Sequence, residues 1–132
     1  MKDNNRIEYE RWFKQAGEDL EVAKWSLKGR FFSHSCFMSQ QAGEKALKAY
    51  CYLKGERLVL GHSMLILIRK CSKYNKDFIH LEKECKTLDK YYIISRYPNG
   101  LPGLTPSEYF DQKEAKEALN KALKIIKFVE KK

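Results

Sequence analysis

Several common signatures are missing from this sequence of 132 residues. No apolar run approaches the roughly 18 residues that a membrane-spanning helix needs. The first residues, MKDNNRIEYERWF, lack the apolar core of a secretory signal. We therefore expect a cytoplasmic protein that does not enter membranes. Alternation of apolar and polar residues with period two is also weak throughout, which argues against β-strands.

Metal and redox motifs are missing too. The four cysteines, at positions 36, 51, 71 and 85, include no CxxC pair, whereas zinc sites in small domains usually use close ligand pairs. Helical bundles with two metals carry Glu-x-x-His motifs on facing helices, and only DFIH at 77–80 approaches that pattern. We expect buried, reduced thiols, no metal and no cofactor.

Glycine and proline are scarce, with seven and three copies. There is no GxSxG elbow and no glycine-rich phosphate loop, so the sequence gives no sign of an α/β-hydrolase or a P-loop enzyme. All three prolines lie in the segment 95–110, SRYPNGLPGLTPSEYF. We expect a long irregular loop there, since such loops inside compact domains are usually functional or disordered.

Basic residues are in excess, and the net charge is +9. Twenty of the 26 basic residues are lysines spread from Lys2 to Lys132, and six are arginines. Scattered lysine is typical of a solvated surface, whereas bidentate recognition of phosphate favours arginine. Attraction of acidic partners by overall charge is the alternative, and the few arginines are the more informative residues.

Apolar residues recur at helical spacing over nearly the whole chain. The predicted helices are about 8–28, 33–54, 62–74, 78–94 and 112–131. Gly29 and Gly55 are expected to end the first two helices as C′ residues, the position that favours left-handed backbone, and Asn75 or Asp77 to cap the fourth. Capping-box sequences also occur at TPSE (105–108) and DQKE (111–114). The prediction is an all-α, up-and-down four-helix bundle with an additional short helix, forming one domain over 1–132.

One narrow polar stripe interrupts the otherwise apolar second helix, in CFMSQQAGEKALKAYCYL. At about 100° per residue, Gln41, Glu44, Lys45 and Lys48 share one side. The stripe is either the solvated side of a bundle helix or polar chemistry held at a site.

Polar residues elsewhere could join the stripe at one end of the bundle. His62 opens the third helix, and Arg96 and Tyr97 follow the fourth. In an up-and-down bundle these two points meet at the same pole, so His62 and Arg96 could be neighbours.

Four blocks in order resemble the HEPN domain (higher eukaryotes and prokaryotes nucleotide-binding). They are AGEDLEVAKWSLKGRFFSHSCF, QQAGEKALKAYCYLKG, GHSMLILI and LDKYYIISRYP, followed by an alanine-rich terminal helix. The resemblance covers about residues 12–129. It implies a helical bundle that forms a homodimer and acts beside a minimal nucleotidyltransferase, as an RNA-cleaving toxin or a nucleotide-binding partner.

The resemblance also implies a nuclease motif, which this sequence does not complete. Family nucleases carry Arg, four to six residues and then His, acting on the 2′-hydroxyl and phosphate of RNA. After Arg96 the corresponding positions hold Leu101, Pro102 and Gly103. RLVLGH, from Arg57 to His62, has the spacing but precedes the third helix, so we interpret it as a chance match.

Three hypotheses follow. The first is a nucleotide- or RNA-binding partner of a nucleotidyltransferase in a toxin–antitoxin-like pair. Its binding residues are Arg96, Tyr97, His62, Lys45, Lys48, Gln41 and Glu44. The second is a metal-independent RNA endonuclease using Arg96, or the pair Arg57 and His62. The third is a structural dimerisation module in which the same groups form a buried ion-pair network or an interface.

Overall fold

The computed structural model describes residues 2–97 and 101–132, all of which are helix or connection. The α-helices are α1 (Lys2–Lys28), α2 (Phe32–Leu53), α3 (Met64–Ser72), α4 (Glu82–Asp89), α5 (Tyr91–Ile94), α6 (Pro106–Tyr109) and α7 (Gln112–Glu130), with a 3₁₀ helix at Lys76–Leu81. No strand occurs in the described ranges, and the predicted all-α bundle is confirmed. Residues 98–100 of the predicted proline-rich loop lie outside the described residues.

The predicted boundaries were close for α2 and α7, and the predicted end of α1 at residue 28 is confirmed, whereas other boundaries differ. α1 begins six residues earlier than the predicted start at 8. α3 begins after His62 because Ser63 is its N-cap, accepting a hydrogen bond from the Ile66 amide. The predicted fourth helix is three pieces, the 3₁₀ helix, α4 and α5, with Asn75 as the N-cap of the first.

The end of α1 corrects the role predicted for Gly29. The Phe31 amide bonds the Ser26 carbonyl and the Arg30 amide bonds that of Leu27, which is the Schellman pattern. Arg30, one residue after Gly29, is therefore the left-handed residue, with φ of 66°. The same pattern of hydrogen bonds ends α2, where Gly55 is the left-handed residue as predicted, with φ of 99°.

Arg30→Gly is expected to raise the free energy of unfolding by about 0.5–1 kcal/mol. Glycine adopts positive φ without the steric cost that arginine bears, and this gain exceeds the loss of a weak cation–π contact with Phe32. Urea denaturation measures the change. Gly55→Ala is the matched opposite, expected to lower stability by about 1 kcal/mol. An Arg30→Gly variant less stable than wild type would contradict the expectation.

α2 lies at the centre and packs against α1, α3 and α7. Gly43 is the point of closest packing, since a Cβ there would lie 2.6 Å from the Met64 terminal methyl and 3.5 Å from Ile125. Tyr50, Phe78 and Leu88 are fully buried in the same core. These neighbours cover most of the circumference of α2.

The four cysteines are buried and unpaired. Burial raises the pKa of both Cys36 and Cys85 to about 12, so these thiols are inert at neutral pH. The Sγ atoms of Cys51 and Cys71 lie 3.6 Å apart between α2 and α3. In residues 2–97 and 101–132, no helix is long and apolar enough to cross a membrane.

Candidate functional site

Glu44 is a buried carboxylate in the middle of α2, with three partners. The Lys48 ammonium lies 3.1 Å from Oε2, the Gln40 amide donates to Oε1 at 3.0 Å, and His62 Nδ1 lies 3.2 Å from Oε2. Glu44 and Lys48 are 2% and 5% exposed. The interpretation of the stripe as a solvated helix face is therefore wrong for these two residues, which form a buried ion pair.

His62 is held on two sides. Glu44 faces Nδ1, and the Tyr92 ring stacks on the imidazole with centroids 4.4 Å apart and planes at 17°. The Gln40 amide also bonds the His62 carbonyl at 3.3 Å. Because a carboxylate beside Nδ1 favours the proton on that nitrogen, Nε2 is left to accept or exchange a proton. The His62 side chain is 53% exposed, so solvent reaches the ring.

The position of His62 depends on Asp89, at the end of α4. The Asp89 carboxylate accepts from the backbone amides of Met64 at 2.6 Å and Leu65 at 3.1 Å, and from the Ser63 hydroxyl at 3.2 Å. A carboxylate on the first amides of a helix satisfies donors that have no partner within the helix. Asp89 thus fixes the start of α3, directly after His62.

Arg96 follows α5 and lies among aromatic rings. Its guanidinium carbon is 4.4 Å from the Phe37 ring centroid, 4.6 Å from that of Tyr92 and 4.8 Å from that of Tyr97. Its Nε donates to the Tyr92 carbonyl at 2.9 Å, and no acceptor within 2–97 or 101–132 bonds either Nη atom. The planar fork is therefore oriented by its surroundings and still has donors for a ligand.

Arg96 and His62 therefore contact the same ring. We name the six residues Gln40, Glu44, Lys48, His62, Tyr92 and Arg96 the Glu44–Arg96 site. It combines a carboxylate–imidazole pair with a guanidinium across one aromatic side chain. The arrangement can bind a phosphate through charge and donors, and can move a proton at His62 Nε2.

The remaining predicted residues lie around this site or away from it. Gln41 bonds Gln40 at 2.8 Å, and Tyr97, 48% exposed, contacts Arg96. Lys45 turns toward α1 and pairs with Asp19 instead. Arg57 lines a cleft with residues of α1, Arg11 and Trp12 among them, whereas the side-chain partners of His62 in the described residues are Glu44 and Tyr92.

Four residues of the site region were missed from the sequence. They are Phe37, Gln40, Tyr92 and Asp89. Aromatic residues at helical spacing usually indicate core, and nothing in the local pattern separates Gln40 from Gln41. The doubled QQ and YY pairs were the only available signals. Within the described ranges no three His, Cys, Asp or Glu side chains form a group that could hold a metal.

The sequence model of the HEPN domain family matches residues 9–132 of this chain. This chain belongs to the HEPN family. The assignment agrees with the resemblance seen in the sequence and with the observed helical bundle.

Three solved structures are similar over nearly the whole HEPN chain. TT1696 from Thermus thermophilus is 36% identical with a TM-score of 0.86, covering 93% of this chain and 96% of that one. ST0689, described as an archaeal HEPN homologue, is 34% identical with a TM-score of 0.75, covering 92% and 94%. A HEPN domain protein of Thermotoga maritima, tm0613, is 32% identical with a TM-score of 0.72, covering 92% and 95%.

One curated relative has a functional name. The Methanocaldococcus jannaschii protein named "Putative toxin MJ1304" is 30% identical over 139 aligned residues, covering 98% of this chain and 91% of that protein.

Proposed function

We propose that this HEPN protein binds a nucleotide or RNA phosphate at the Glu44–Arg96 site and acts in a toxin–antitoxin-like pair with a minimal nucleotidyltransferase. The observation that carries the binding proposal is the shared Tyr92 ring, which holds the Arg96 guanidinium and the His62 imidazole on one side chain. A guanidinium fork matches phosphate bidentately, and the imidazole adds a hydrogen-bonding group beside it.

The buried part of the site supports binding by preorganisation. Glu44 and Lys48 neutralise each other at 3.1 Å, and Glu44 also orients His62. A phosphate therefore meets an imidazole and a guanidinium whose rotamers are already fixed, which lowers the entropy lost on binding. The exposed Tyr97, against Arg96, is placed to donate its hydroxyl or stack on a base.

The partner and the homodimer belong to the same proposal. They are supported by membership of the HEPN family and by the toxin name of the Methanocaldococcus jannaschii relative. A net charge of +9 also favours partners or ligands of opposite charge.

The test follows the melting temperature while ATP or a 2′-O-methyl RNA hexamer is titrated. A ligand at 100 times its dissociation constant adds about 2.7 kcal/mol of stability, so we expect a shift of several degrees. Arg96→Ala should abolish most of the shift. Arg96→Lys should restore little of it, because an ammonium cannot reproduce the bidentate fork. Arg69→Ala, at an exposed arginine of α3, is the matched control and should keep the full shift.

No shift with either ligand at millimolar concentration, together with a melting temperature that depends on protein concentration, would overturn the proposal. That outcome would favour a structural dimerisation module, in which the buried ion pair serves stability alone.

A second candidate function is metal-independent RNA cleavage, favoured by the Glu44–His62 pair. In this sequence the family motif has no histidine after Arg96. His62, in the connection before α3, contacts the Tyr92 ring that Arg96 also contacts. In this reaction His62 Nε2 takes the 2′-hydroxyl proton and the 2′-oxygen attacks the phosphorus. The 5′-oxygen leaves with a proton from imidazolium or water, giving a 2′,3′-cyclic phosphate, while Arg96 stabilises the phosphorane.

A further inference from the structure

A second cleft lies between α1 and α2 beside the Glu44–Arg96 site. It has a volume of about 420 Å³ and is lined by Arg11, Trp12, Lys14, Gln15 and Lys45. We name it the Trp12 cleft. Three of its five lining residues are cationic and one is a large aromatic side chain. Basic side chains beside an aromatic face are the combination that single-stranded nucleic acids bind.

Lys48 joins the two sites. Its ammonium is 3.1 Å from the Glu44 carboxylate and 5.7 Å from the centroid of the Trp12 ring. Lys48, which is buried, therefore contacts the central carboxylate of the Glu44–Arg96 site and the aromatic ring of the Trp12 cleft.

The floor of the Trp12 cleft is built around a buried carboxylate. Asp19 is 4% exposed, pairs with the Lys45 ammonium and accepts from the Gln15 amide at 3.0 Å. Tyr52 packs on the Trp12 ring with centroids 5.3 Å apart. Lys45 and Trp12 are thus held in place before any ligand arrives.

The rim of the cleft carries exposed charge. Arg11 and Lys14 are both exposed on α1, where Arg11 pairs with Glu8 three residues before it. Exposed pairs of this kind contribute little and exchange readily for a phosphate. The rim can therefore follow a phosphate backbone while the tryptophan contacts a base.

We propose that the Trp12 cleft is a nucleotide subsite in which the Trp12 side chain contacts a base and Arg11, Lys14 and Lys45 contact the adjoining phosphates. The inference rests on the proposed function and narrows it: the ligand class is a single-stranded oligonucleotide rather than a mononucleotide. AMP fills the Glu44–Arg96 site alone, whereas a hexamer occupies both.

The chain offers a direct reporter, because Trp12 and Trp25 are its two tryptophans. Trp25 is 68% exposed and does not line the Trp12 cleft. In Trp25→Phe the fluorescence comes from Trp12, and the 2′-O-methyl RNA hexamer should quench it at saturation, whereas AMP should not. In Trp12→Phe the remaining Trp25 should be unaffected by the hexamer.

Affinity gives the second readout. The double variant Arg11→Gln, Lys14→Gln changes exposed side chains, so folding is preserved. It should weaken hexamer binding about tenfold or more at low salt and flatten the dependence of affinity on salt concentration, while AMP affinity stays unchanged. The matched control Lys83→Gln, Lys86→Gln, at exposed residues of α4 where Lys86 pairs with Glu82, should leave the cleft contacts intact and weaken hexamer binding much less.

The outcomes separate the two proposals. Hexamer binding that depends on Arg96 but neither quenches Trp12 nor responds to Arg11→Gln, Lys14→Gln would overturn the subsite and keep the proposed function. No binding of AMP, ATP or hexamer would overturn both.

Discussion

Glu44→Leu is expected to lower the free energy of unfolding by about 3–5 kcal/mol. The substitution leaves the Lys48 ammonium, 5% exposed, without its counter-charge and removes the acceptor for Gln40. Breaking a buried ion pair by removing one partner has a cost of this size because the remaining charge stays desolvated. Urea denaturation, with unchanged helical circular dichroism in the native state, measures the loss.

The chain contains a matched control for this prediction. Glu82 and Lys86 have the same residue types, the same spacing and the same 3.1 Å distance, but their side chains are 37% and 57% exposed. Glu82→Leu should therefore lower stability by less than about 1 kcal/mol.

A second variant tests whether burial is the cause. In Glu44→Leu, Lys48→Met both charges are gone, and stability should return most of the way to wild type, since apolar replacement of a buried pair is often neutral. A Glu44→Leu variant within about 1 kcal/mol of wild type would show that Lys48 reaches solvent by turning out of the site.

His62→Gln is expected to reduce RNA cleavage by about 100-fold or more, if cleavage is the reaction. General acid–base groups contribute about 10²–10⁴-fold in rate, and glutamine cannot exchange a proton. Its amide can still donate to Glu44, so stability should change little. The measurement is a single-turnover rate on a fluorescent RNA hexamer with EDTA present, which removes metal-dependent contaminants.

Two further variants make this result specific. His80→Gln, at an exposed histidine of the 3₁₀ helix, should cleave at the wild-type rate. Arg57→Ala should cleave saturating RNA at the wild-type rate, because within the described residues Arg57 bonds no group of the Glu44–Arg96 site and the RLVLGH spacing was interpreted as chance. Saturating RNA is needed because the cleft of Arg57 shares Arg11 and Trp12 with the Trp12 cleft. A rate that falls with Arg57→Ala and not with Arg96→Ala would reverse the assignment. Cleavage unchanged by His62→Gln would exclude the Glu44–His62 pair as its catalyst.

The sequence predicted much of the local structure because the determining interactions are local. The α2 boundaries of 33–54 and 32–53 nearly agree, since its apolar periodicity and Gly55 lie within the helix and its first following turn. The box at Thr105–Glu108 was confirmed for the same reason. Arg30 shows the limit of such local reasoning. The residue with left-handed backbone is the one whose amide bonds the Leu27 carbonyl, and here that residue is Arg30 rather than the neighbouring glycine.

The polar stripe of α2 was visible in the sequence, but the partner of each of its residues was not. Lys45 and Lys48 lie on the same side of the helix, yet Lys45 pairs with Asp19 of α1 and Lys48 with Glu44. Which neighbour each lysine meets depends on where α1 and His62 sit around α2. That placement is set by packing between helices, which no local pattern encodes.

The sequence by itself determined the helical bundle, several of the caps and a short set of polar candidates, because periodicity, capping chemistry and composition act within a few residues. Only the tertiary structure decided that His62 and Arg96, 34 positions apart, share the Tyr92 ring, and that Lys48 links them to Trp12. The physical reason is that Gly43 lets α3 and α7 close on α2, and Asp89 holds the start of α3 against α4.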